Sequence, residues 1–207
     1  MSLDQVPQPR YTPGMRLAMR HTKVVRVTHW IHALSFVALA VSGAAILLAH
    51  PRFYWGETGY FDTPAAFELP LTVDLDQTGW GRSLHFLAGW IVVLNGFIYA
   101  MWGLVTSHFR NKFISAQARF PGYSFPQRLA YLGVVFGLLP LSILSGLTMS
   151  PAVTAAYPEL FALFGGRQSA RTIHFIVADL LVFFLIIHIG MTILTGFGRN
   201  MRSMILG

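Results

Sequence analysis

The chain has 207 residues, 54% of them hydrophobic and only 11% charged, with a net charge of +7 and no cysteine. That profile is a membrane protein's, and the length suits one domain of a few spanning helices. Without cysteine, the chain holds no thiolate-bound iron–sulfur cluster, covalent c-type haem, disulfide or cysteine nucleophile.

In chain order, residues 1–23 form a basic arm with Arg10, Arg16, Arg20 and Lys23. Pro7, Pro9 and Pro13 argue against a long helix at its start. The arm lacks an apolar core, so no cleavable signal peptide is expected, and the first span serves as the insertion signal. Apolar runs predict helices over about 24–49, 82–106, 127–149 and 169–197. The first ends at His50-Pro51, and Pro140 is expected to kink the third. The loop after helix 1 is rich in Trp, Tyr, Phe, Pro and acids. The connection after helix 2 is basic, with Arg110, Lys112 and Arg119. Pro151, Pro158 and Gly165-Gly166 mark the last loop, and residues 199–207 form a tail. The expected fold is all-α, a four-helix up-and-down transmembrane bundle. No internal repeat is evident beyond a pattern of histidines.

Charge sets the orientation. Four spans put the arm, the 107–127 connection and the tail on one side, with most of the Lys and Arg. The other side carries Arg52, Arg82, Arg167 and Arg171 together with Glu57, Asp62, Glu68, Asp74, Asp76 and Glu159. Positive charge collects in the cytoplasm, so both termini are expected there, and the acidic, aromatic loop faces out, to the periplasm if the source is a Gram-negative bacterium. The same bias accounts for the net charge without a nucleic-acid partner.

The fourth helix carries His174 and His188, fourteen residues apart in an apolar run. Fourteen steps of ~100° return to within ~40° of one face and rise roughly 21 Å. Two imidazoles therefore point the same way near opposite sides of a ~30 Å hydrocarbon layer. Intramembrane histidines are rare and usually functional. Each is expected to bind the iron of its own haem, and other helices must supply the opposite ligands. His29 begins helix 1 at the depth of His188, and His85 begins helix 2 at the depth of His174. Depth therefore gives an inner pair, His29 with His188, and an outer pair, His85 with His174.

Arg26, Arg82 and Arg171 each stand three residues before one of these histidines, hence beside it on the helix face and toward the water. The forked donors of Arg suit haem propionates, although an interfacial anchor is the plainer role. Gly43, fourteen residues after His29, and Gly89, one turn past His85, offer small surfaces for a flat macrocycle, as does Gly190 near His188. Glycine also serves ordinary helix packing. His32 is the rival of His29 for the inner site or lines a quinone pocket. His50 competes weakly with His85, while His108 and His21 are not expected to bind metal. Asp179, a lone acid in helix 4, is a structural acid or a proton carrier.

These residues resemble the bacterial di-haem cytochrome b561 family, which includes the cytochrome b subunits of Ni,Fe-hydrogenase and formate dehydrogenase. The marks are Arg26-x-x-His29-Trp30 with Ser42-Gly43, Arg82-x-x-His85-Phe86 with Gly89-Trp90, and His174 with His188. The likeness covers Arg26 to about Gly198. It implies a four-helix core, two non-covalent b haems on His29, His85, His174 and His188, and electron exchange with quinone. The stretch Tyr54-Trp55-Gly56-Glu57-Thr58-Gly59 is similar to that of thiosulfate-reductase-type members, which implies a periplasmic molybdopterin oxidoreductase or a hydrogenase-like partner. The aromatic–acidic loop is either a docking surface or an interfacial belt.

The expected function is electron transfer between quinone and a periplasmic oxidoreductase. The inner quinone site is placed near His29 and His188, with His32, His108, Arg110 and Asn111 as polar groups. A free-standing superoxide:ubiquinone oxidoreductase is the alternative, and a metal-ion carrier a more distant one.

Overall fold

The computed structural model describes residues 22–59, 63–70, 79–106, 129–130 and 132–206. Helix α1 covers Lys23–Ala49, and the side chain of Thr22 caps it by accepting from the Val25 amide. It stops at His50, whose backbone is turned out of the helical region to φ −135°, ψ 68°, as a following proline demands. A short antiparallel pair follows, β1 (Arg52–Phe53) against β2 (Phe67–Glu68). Arg52 and Glu68 face each other there in a 3.0 Å ion pair. Helix α2 covers Trp80–Val105. A π-helical stretch, Val134–Leu138, runs into α3, Leu139–Thr148. Two short helices, α4 (Pro151–Ala156) and α5 (Glu159–Phe164), lead to α6, Arg167–Leu194. After a turn at Gly196, with φ +110°, comes α7, Phe197–Ile205.

Helices α1, α2 and α6, of 27, 26 and 28 residues, are long and apolar enough to cross a membrane. At ~1.5 Å per residue each reaches roughly 40 Å, more than the hydrocarbon layer. The Val134–Thr148 segment is apolar but shorter. Pro140 lies in the first turn of α3, with the π-helical stretch directly before it. There the Leu139 amide bonds the Val134 carbonyl, five residues back. The wider turn takes up the missing amide and the bulk of the proline ring.

The expected tail is instead mostly the amphipathic helix α7. Its last carbonyls, which no helix partner can satisfy, meet α1. Arg26 Nη1 donates to the Ile205 carbonyl at 3.1 Å, and Trp30 Nε1 to that of Met204 at 3.0 Å. Asn200 Nδ2 also donates to the Thr192 carbonyl, so α7 ties the end of α6 to the start of α1.

Backbones pack most closely within two hairpins, α1 on α2 and α3 on α6. Small residues allow it, since apolar burial drives little association between helices in lipid. On α1, Thr28, Ser35 and Ser42 are buried at a spacing of seven. On α2 the buried residues are Gly81, Ala88, Val92, Asn95 and Gly103. Asn95 Nδ2 donates to the Thr28 carbonyl at 2.8 Å, and a Cβ on Gly81 would sit 3.1 Å from Ala45 Cβ. The bulky side chains, such as Leu34, Leu87, Leu94 and Phe183, point outward. This is the pattern of helices whose solvent is lipid.

The loop after α1 folds onto the start of α6. Phe53 is buried between Phe67 and Phe175, with ring centres 4.7 and 4.5 Å away. Arg171 lies over the Phe53 ring at 5.0 Å and donates to the His50 carbonyl. Thr172 Oγ1 donates to the Tyr54 carbonyl at 2.7 Å. The Gly56 carbonyl accepts from the Gln168 and Ser169 amides, while Ser169 Oγ accepts from the Gly56 amide. The loop thus caps a helix whose own N-cap, Gly166, offers no side chain. Gly166 has φ +112°, and a Cβ there would lie 2.4 Å from the Gly56 carbonyl oxygen, so the site requires glycine.

Replacing Asn95 with Leu removes the only buried amide from the α1–α2 contact among the described residues. It should lower the melting point in detergent, at a cost of about 1 kcal/mol. Leu94→Ala on the adjoining exposed face should leave melting nearly unchanged. His50 gives a second outcome. Desolvation of its ring, then the charges of Arg171 and Arg82, hold its pKa below the ordinary 6.5. The unfolded chain takes up that proton first, so this stability is full above about pH 6.5 and lost as the pH falls. His50→Gln should flatten the loss of melting temperature between about pH 7.5 and about pH 5.

Candidate functional site

Two pairs of histidines face each other across the space between the hairpins. His29 of α1 opposes His188 of α6 with ring centres 6.4 Å apart and planes at 50°. His85 of α2 opposes His174 of α6 at 6.1 Å and 73°. One metal atom bonded to both rings at about 2.0 Å, with each ring centre roughly 1.1 Å behind its nitrogen, would set the centres about 6.2 Å apart. Both gaps therefore have the width of a nitrogen–metal–nitrogen bridge. Among the described residues no three His, Asp or Glu side chains converge as a metal-binding group. Two imidazoles on opposite sides suit a metal that brings its other ligands with it, as iron does in a porphyrin.

The second pair is held by neighbouring helices. His85 Nδ1 lies 3.0 Å from Ser42 Oγ on α1. Ser42 Oγ itself lies 2.7 Å from the Ala38 carbonyl, where its one hydrogen goes, so it accepts from the imidazole. His174 Nδ1 lies 2.9 Å from the Ser142 carbonyl and 3.1 Å from Ser145 Oγ on α3. A carbonyl can only accept, so Nδ1 carries the proton and Nε2 keeps its lone pair for a metal. Hydrogen bonds of this kind orient metal-binding imidazoles and raise their basicity. A Cβ on Gly43 would lie 3.5 Å from His85 Cε1, and one on Gly146 3.3 Å from His174 Cε1.

At the other pair, Trp30 meets the His29 ring edge-on at 5.5 Å, and Phe184 stacks on His188 at 5.8 Å.

The remaining expected site residues fall as follows. Arg82 and Arg171 lie near His50, at the end of the bundle that holds His85 and His174. Arg171 is engaged by the His50 carbonyl and Phe53, Arg26 by the Ile205 carbonyl. Gly43 rests against an imidazole. Gly89 and Gly190 have nothing within 4 Å of an added Cβ, so open space lies beside them. His32 is half-buried on α1. Asp179 is exposed, nine residues before His188 and so ~180° from it around α6. His108, Arg110 and Asn111 lie outside the described residues.

Ser142, Ser145 and Gly146, on a helix without histidine, were not among the residues the sequence singled out. The signal was there. Ser145-Gly146 repeats Ser42-Gly43, and Arg171-x-x-His174-Phe175 repeats Arg82-x-x-His85-Phe86.

Known proteins agree with this architecture. The family model for prokaryotic cytochrome b561 matches residues 20–207. A protein of Azospira oryzae, described as a putative protein-methionine-sulfoxide reductase subunit YedZ1, is 30% identical over 208 residues, covering 90% of this chain and 96% of its own. No solved structure matches the chain. Since the family match takes in every helix of the bundle, the chain belongs to the prokaryotic cytochrome b561 family, membrane proteins that bind haem b and take part in electron transfer.

Proposed function

We propose that this protein is a four-helix transmembrane cytochrome holding two b haems, one between His29 and His188 and one between His85 and His174. The observation that carries the reading is the pair of ring separations, 6.4 and 6.1 Å, each the width of a bis-histidine bridge. The segment Val134–Thr148, extended by the helical residues before it, is the remaining span. Haem supplies a one-electron couple, and two histidines leave its iron no open position for oxygen. The chain's task is to hold the two groups at different depths, roughly 21 Å apart along α6. Arg82 and Arg171 meet propionates at one end. Arg26 does so at the other, beside its bond to the Ile205 carbonyl.

The electrons pass between the quinone pool and a periplasmic oxidoreductase. The chain lies in a bacterial inner membrane with both termini in the cytoplasm, as the Lys and Arg bias favours. Quinone binds on the cytoplasmic side near His32, His108, Arg110 and Asn111. The description of the Azospira oryzae relative supports a partner that reduces protein methionine sulfoxide, and such a partner would draw its electrons outward from quinol. A molybdopterin oxidoreductase fits that chemistry, with a hydrogenase-like partner as the variant of opposite electron flow.

One observation favours a second reading, superoxide oxidation with ubiquinone as acceptor. Arg82 and Arg171 both lie near His50, at the end of the bundle that holds His85 and His174, and supply the positive charge an anionic substrate needs. Consumption of superoxide by the purified protein without any partner would establish that reading, and its absence would leave the subunit role.

The reduced-minus-oxidised spectrum with haem quantitation tests the main reading. Two b haems per chain are expected. His85→Ala and His174→Ala should each abolish the same haem, and His29→Ala and His188→Ala the other. Protein that stays colourless when expressed with ample iron and haem precursor, or loss of one shared haem from all four variants, would refute it.

A further inference from the structure

The two hairpins present one contact twice. On α1, Ser42 Oγ reaches the carbonyls three and four residues back, Leu39 and Ala38, and meets Nδ1 of His85 on α2. On α3, Ser145 Oγ reaches the carbonyls three and four residues back, Ser142 and Leu141, and meets Nδ1 of His174 on α6. In each case the residue after the serine is glycine, and a Cβ added there would lie 3.5 Å (Gly43) or 3.3 Å (Gly146) from Cε1 of the same ring. At the second contact the Ser142 carbonyl, three residues before the serine, also takes a bond from the ring. Both serines are fully buried. A serine that only satisfied its own helix would need no imidazole at its oxygen and no glycine beside it.

We infer that Ser42 and Ser145 are positioning residues that together set the reduction potential of the haem between His85 and His174. The inference rests on the proposal that this pair binds haem. Each hydroxyl has spent its hydrogen on its own helix, so what it offers the imidazole is an acceptor. An Nδ1–H that donates pushes electron density toward Nε2 and makes the ring a stronger ligand. A stronger donor favours the oxidised, more positive iron. The serines therefore lower the potential of this site, and Gly146 leaves His174 room that a side chain at 3.3 Å would crowd.

The test is a redox titration of the full-length protein in detergent or lipid, following both haems. Ser42→Ala and Ser145→Ala are each expected to keep two haems per chain and raise the potential of the His85–His174 haem. Together they should shift its reduced-to-oxidised ratio by on the order of tenfold, which is about 59 mV for one electron. The His29–His188 haem should not move. Ser35→Ala removes another buried side chain from the same stripe of α1, one heptad away, and should shift neither haem. Two haems with unchanged potentials in both serine variants would overturn the inference and leave the haem assignment standing. A parent protein lacking two haems would overturn both. The serines lie on different hairpins, so Ser145→Ala decides the matter if Ser42→Ala misfolds.

Discussion

Two imidazoles facing each other across about 6 Å impose a constraint on everything around them. Helices that met directly at that point would close the space and push the rings aside. The chain instead joins its helices in two tight hairpins and leaves the hairpins apart where the histidines meet. The close packing lies inside each hairpin, where Ser42, Ala88, Asn95 and Gly81 on one side and Ser145, Thr148 and Thr172 on the other are buried. With haem in the proposed sites, a large apolar plate fills the space between the hairpins and becomes part of the core. A group that binds only the folded bundle adds its binding energy to the stability of the fold.

The two ends of the bundle are built by different means. At the end that carries His85 and His174, the loop after α1 folds down onto α6, and its carbonyls take the place of an N-cap side chain. Arg171, one turn before His174, is fixed there by the His50 carbonyl and the face of Phe53. The aromatic residues are divided between two tasks. Phe53 and Tyr54 are buried as the plug of this cap, while Trp55, 56% exposed, stands outside it. At the other end, α7 doubles back and rests its carbonyls on Arg26 and Trp30, the latter in edge contact with His29. Each pair of histidines thus sits beneath a piece of chain fastened to the helix that carries one of its members.

Family membership, the apolar spans and the part in electron transfer all trace to sparse polar residues in apolar helices. In lipid a histidine or a buried serine is costly unless it has work to do, so the few present carry much of the meaning. Asp179 is the exception. It lies on the outer face of α6, away from both histidine pairs, and nothing in the bundle accounts for it.

Hydrophobic runs determined that the chain crosses a membrane, because a span must be apolar along its whole length whatever it packs against. Helical periodicity placed His174 and His188 on one face, and depth matched each with a partner, because both follow from the rise and turn of a single helix. Tertiary structure decided what depends on contacts between helices. The separation and tilt of the rings, the tautomer of His174 and the grip of Ser42 and Ser145 on their neighbours arise only when two helices meet. The use of the 50–56 loop as a cap, and the docking of residues 197–205 on α1, join segments more than a hundred residues apart. Local pattern carries no record of such distant pairings, since the same residues in another packing would satisfy the same periodicity.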